Sequence, residues 1–119
     1  MRDEAILVVT VISDEDDNSS DGNPADWVAN LAAAKNNDQS GIVTLGLIGD
    51  LGNGINGAAP VCTAGSSDGG ADDATRLRQF VTSMDNHVLG SVCENSYDAF
   101  FQQAVDLITY TCENYPVPQ

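Results

Sequence analysis

Positive charge is what this chain most lacks. Four basic residues stand against eighteen acids, a formal net charge of −14, and Lys35 is the only lysine. A field of that sign repels phosphates and anionic lipid and attracts cations and basic partners, so the balance excludes nucleic-acid binding. Its bland role is solubility. Long apolar runs are missing too: none approaches the roughly 20 residues that cross a bilayer, and no membrane span is predicted. The only histidine is His87 and no Cys-x-x-Cys pair occurs, which removes the ligand spacing of a zinc site. Met1-Arg2-Asp3-Glu4 lacks the basic segment, apolar segment and small-residue cleavage site of a secretory signal. The expectation is a cytosolic protein or a piece of a longer one.

What is present fits a single domain, residues 1–119, large enough to bury roughly two-thirds of the surface that its unfolded form exposes. Residues 5–17 read AILVVTVISDEDD, an apolar run rich in Val and Ile that breaks directly into Asp14, Glu15, Asp16 and Asp17. This is the pattern of a buried parallel strand, and in open α/β sheets ligands collect just outside the carboxyl ends of such strands. Asn23-Pro24-Ala25-Asp26 makes a well-formed helix start, with Asn as cap and Pro at the first helical position. The helix is predicted over about 24–35, with Trp27, Val28, Leu31 and Ala32 on its apolar face and Asn30 and Lys35 reaching water. Ile42–Ile48 is a second strand, followed by Gly49-Asp50, and the βαβ unit so formed carries Asp50 to the same sheet edge as Asp14.

The stretch 51–70 is rich in Gly, Asn and Ser and has no periodicity, so it reads as a long loop at that edge. Asp72 and Asp73 are placed at the start of the next helix, which runs to Asp85-Asn86 with Arg76, Arg78 and Gln79 facing outward. His87 reads as a surface residue entering a short strand, Val88–Val92. Tyr97, Phe100, Phe101, Ala104, Val105, Ile108 and Thr111 mark a final amphipathic helix, stopped by Pro116 and Pro118. The whole predicts an α/β fold: three layers, αβα, Rossmann-like, with a short parallel sheet of about three strands and three helices.

That layout sorts the cysteines. Cys62 in the long loop and Cys93 after the third strand both lie at the carboxyl edge and can pair in an oxidising compartment. Cys112 sits at the far end of a helix about 24 Å long, too far from Cys93 for a disulfide, whose Cα atoms stand within about 7 Å. Three unpaired thiols are the alternative.

The acids admit several readings. Counted as a calcium loop from Asp14, the sixth position is Ser19 and the twelfth Ala25, where Gly and Glu are needed, so this is no EF-hand. A partly hydrated divalent cation (Mg2+, Mn2+ or Ca2+) on Asp14 and Asp16, with Asp50, is one expectation; a solvated acidic loop is the other. A metal-dependent hydrolase or phosphoryl-transfer remnant using the acids of 14–17 is the enzymatic alternative. A phospho-receiver site would need a later-strand Asp and a Lys at the carboxyl edge, and neither is present. His87, predicted near a strand's amino end, stands at the wrong edge to serve Cys93 or the acids in a triad.

An apolar strand ending in Ser13-Asp14-Glu15, a helix, the strand IVTLGLIGD, a second helix, a short strand and a last helix with paired aromatics together resemble the carboxyl-terminal half of a von Willebrand factor type A domain. The strand Gly90–Cys93 and the Tyr97-x-x-Phe100-Phe101 start of the last helix are similar to the kind found in bacterial secreted or lipid-anchored proteins. The resemblance implies a non-enzymatic adhesion module of a secreted or surface protein, binding a protein or matrix ligand, with Asp14 as the one metal-site residue that carries over. The family's Asp-x-Ser-x-Ser motif and second-loop Thr have no counterpart here, so a partial domain with at most a partial metal site is implied. Such truncation leaves residues 6–12 as an unpaired apolar edge, open to a homodimer or to a missing amino-terminal half.

Overall fold

The computed structural model describes residues 2–49 and 71–115. Asp50, Cys62, the glycine-rich stretch 51–70 expected as a loop, and Pro116 and Pro118 lie outside the described residues. The elements alternate as expected: β1 (Leu7–Ser13), α1 (Pro24–Ala33), a single 3₁₀ turn (Gln39–Gly41), β2 (Ile42–Ile48), α2 (Thr75–Thr82), β3 (His87–Ser91) and α3 (Asp98–Asn114). The strands form one parallel sheet in the order β1-β2-β3. Leu7 stands opposite Ile42, and Thr44 opposite His87. The architecture is α/β and Rossmann-like.

β2 is buried along its whole length because helices cover both of its faces. Val43, Leu45 and Leu47 pack with Val88 and with Phe100 and Ala104 of α3. On the other face Ile42 packs with Phe80, Val81 and Met84, joined by Trp27, Val28 and Leu31 of α1. Side chains alternate across a strand, so a residue step of one moves a side chain from one core to the other. Two glycines set the spacing of the layers. A Cβ at Gly46 would lie 2.8 Å from Val81 Cγ2, and one at Gly90 2.7 Å from Phe100 Cδ2. Bare backbone at these points is what lets α2 and α3 seat against the sheet.

α1 begins on the predicted cap. Asn23 accepts from the Ala25 and Asp26 amides while the Asp26 carboxylate accepts from the Asn23 amide, a reciprocal capping box. The helix ends earlier than the sequence suggests, at Ala33, and the chain then turns through Asn36 and Asn37, both at positive φ. Asn is among the few non-glycine residues that tolerate this region.

The early end has a consequence for Lys35, which was expected in water and is instead 3% exposed. Its ammonium donates to the carbonyls of Arg2, Asp3 and Ala5 at 3.3, 2.9 and 2.6 Å. The Tyr115 ring lies 5.1 Å from the same nitrogen, and the Tyr115 hydroxyl donates to Asp3 O. A buried ammonium is tolerable only when its donors are satisfied, and three carbonyl dipoles and an aromatic face do this without a carboxylate. Lys35 thus ties the segment leading into β1 to the end of α1 and of α3. Replacing Lys35 by Met keeps the apolar stem and removes the donors; about 1.5–3 kcal/mol of stability should be lost. Urea unfolding of the two proteins measures it, and a change near zero would contradict the assigned role.

Candidate functional site

The acidic residues 14–17 leave the carboxyl end of β1, as the apolar run requires, but their carboxylates face different tasks. Asp16 reaches the start of α2. Its Oδ2 accepts the Arg76 amide at 3.0 Å, and its Oδ1 accepts the Leu77 amide at 3.1 Å and the Asp17 amide at 2.9 Å. α2 has Ala74 at its N-cap position and no side-chain cap of its own. The first amides of a helix have no intrahelical acceptor and carry a partial positive charge, so a carboxylate there satisfies donors and dipole together. Asp16 is therefore the cap of α2, supplied from sixty residues away.

The grip is returned by Arg76. Its guanidinium donates to Asp17 O at 2.6 Å and Gly22 O at 2.7 Å, and lies 4.8 Å from the centre of the Trp27 ring. The expectation that Arg76 faces outward is corrected: a helix face that looks solvated from periodicity is covered by the loop that follows β1. Asp72 and Asp73 were expected to open α2, and the helix starts later, at Thr75. Asp73 instead forms an ion pair with Arg78 at 2.7 Å. Main-chain bonds from Asp72 N to Asp14 O and from Ala74 N to Gly49 O fasten this entry to the ends of β1 and β2.

Asp17 organises its own loop. Its Oδ1 accepts the Ser19 and Ser20 amides and its Oδ2 the Ser20 hydroxyl. The Ser20 hydroxyl first, then the Ser20 amide, hold the Asp17 carboxyl below its ordinary value of 3.8. Asp14 and Glu15 are exposed. The surface between β1 and this loop is a shallow hollow of about 340 Å³ lined by Val11, Ser13, Glu15, Asp16, Asp17, Ser19, Ser20 and Leu77.

For a cation, this arrangement offers little that is preformed. Divalent hard cations take about six to eight oxygen ligands, and among the described residues no three His, Cys, Asp or Glu side chains group around one point. Asp14 and Asp16 do not by themselves make such a group, and Asp50 lies outside the described residues. His87 is exposed at the start of β3, as expected, with Nδ1 2.7 Å from Met84 O. Cys93 is buried, and Cys112 is a free, exposed thiol. The capping role of Asp16 and the inward role of Lys35 are the features that sequence reasoning missed. No local signal marks the first, because Asp72 and Asp73 stand beside the helix start in sequence and read as its own cap.

Set against protein-family models, curated proteins and solved structures, the chain matches none of them.

Two expectations follow from the geometry. Asp16→Ala should cost about 1–2 kcal/mol, the usual worth of a helix cap, while Asp14→Ala should be near neutral; denaturant unfolding separates them. The lowered Asp17 carboxyl adds stability that is complete above pH 3.8 and is lost as pH falls through its lower folded value. The stability difference between the parent and Asp17→Asn should therefore shrink on acidification through that range, and a difference that grows would contradict the assignment.

Proposed function

We propose that this chain is a non-enzymatic binding module of the kind that its likeness to the von Willebrand factor type A domain implies, engaging a protein or matrix ligand in a secreted or surface setting. The observation that carries this reading is the open edge of the sheet. Among the described strands β1 pairs only with β2, and its Val8 and Ile12 are 39% and 61% exposed. An apolar edge strand left open is a ready template for another chain. No helix among the described residues is long and apolar enough to cross a membrane.

The acids support binding over catalysis. Asp16 and Asp17 already accept amide and hydroxyl donors, so they offer a hydrolase no free pair of carboxylates. A divalent cation, where one binds, is held weakly and centres on Asp14, with Asp16 and Asp50 as the other candidates. The Cys62–Cys93 disulfide belongs to the same reading. Its support is that Cys93 is buried at the end of the sheet while Cys112 is a free, exposed thiol.

Thermal melts with Mg2+, Mn2+ and Ca2+, run beside assays of p-nitrophenyl phosphate hydrolysis, test the function. A weak site gives a small ion-dependent rise in melting temperature that Asp14→Ala removes, since ligand stabilisation grows only as the logarithm of occupancy. No turnover is expected. Ion-dependent turnover that disappears in Asp14→Ala would establish the enzymatic alternative instead. Thiol titration in denaturant without reductant should find Cys112 alone, and non-reducing peptide mapping should join Cys62 to Cys93.

A further inference from the structure

Resting on the binding role, we propose that the occupant of the β1 edge is an extended segment of a cationic partner protein, added to the sheet as a further strand. Three observations lead there. The first is that, among the described residues, the edge is unprotected. β1 keeps unbroken parallel register with β2 from Leu7 to Ser13, and its sequence LVVTVIS holds no charge and no proline. Natural edges are usually blunted by lysine, proline or a bulge, because half of an edge strand's amides and carbonyls point outward unpaired.

The second is an apolar surface beside that edge. Leu7 and Val11 turn toward α1 and α2, so alternation turns Val8, Thr10 and Ile12 to the α3 side. There α3 rests on β2 and β3, leaving Val8 and Ile12 uncovered. A strand added at β1 gains main-chain bonds from the edge, and its alternate side chains gain Val8 and Ile12 as apolar neighbours.

The third is charge, and it selects the occupant. Asp3 and Glu4 precede the strand and Asp14 and Glu15 follow it, all exposed. A second copy of the chain, itself at −14, would set acids against acids at both ends in either direction of pairing, and like charges brought together at an interface oppose association. An apolar strand with Lys or Arg at both ends meets the edge and both acidic flanks at once.

The test uses fluorescent peptides of about nine residues, the length of a typical strand with its flanks: alternating Val and Thr between paired lysines, and the same core between paired glutamates. The lysine peptide should bind, protect the amides of Leu7–Ser13 from hydrogen exchange, and weaken as salt is raised to about 0.5 M. Val8→Lys and Ile12→Lys, at exposed positions where folding checked by circular dichroism should be intact, should each weaken it about tenfold by steering away like charge. Equal binding of both peptides would overturn the cationic assignment. A concentration-dependent dimer with a protected β1 would overturn it in favour of a second copy, with the binding role standing. A monomer whose β1 neither peptide protects would overturn both.

Discussion

The fold hangs on one long-range clasp. Asp16 caps α2 while Arg76, the second residue of that helix, holds the loop that carries Asp16. Neither half is a carboxylate–guanidinium ion pair; each charge meets backbone groups that would otherwise be orphaned by a helix start or a loop. Charge-assisted bonds of that kind are stronger than neutral ones. They join β1 to α2 without passing through the apolar core. They also give Asp16 amide donors of its own, which offset its repulsion with the neighbouring acids at the end of the strand.

The scarce positive charges share this inward use. Lys35 is caged by carbonyls, Arg76 is clasped by the loop, and Arg78 is paired with Asp73. Only Arg2 is left largely to solvent, at a loose 4.0 Å from Glu4. The outer surface is consequently more uniformly negative than the composition alone conveys, since nearly every cation that could moderate it is committed inside. A partner at the β1 edge meets the acids that flank it, and between them Leu7–Ser13 carries no charge.

Local patterns made much of this legible. β2 runs over Ile42–Ile48 as its apolar run indicates, and the Asn23 capping box sits where the Asn-Pro pair places it. These are signals contained within a few residues. The misplacements have the opposite character. α2 starts at Thr75, after Asp72 and Asp73, because its cap arrives from β1, and no window around the helix contains Asp16. Lys35 is buried because residues 2–5 and Tyr115 converge on it, and periodicity within α1 cannot register that. For the acids, sequence located the cluster at the strand's carboxyl end but could not tell a ligand from a cap. The residue type is the same, and only the position of a helix amide distinguishes the two.

The placement of the basic side chains also changes how the molecule meets a protease that cuts after Lys and Arg. Such an enzyme must draw an extended segment into its cleft. Here the bond after Lys35 follows a buried, caged side chain, and the bonds after Arg76 and Arg78 lie within a helix whose first turn is capped and clasped. The native chain is therefore nearly closed to cleavage beyond Arg2, and the bond after Lys35 opens only when the segment leading into β1 has let go. Digestion at that one bond becomes a gauge of how often the amino-terminal edge of the sheet comes undone.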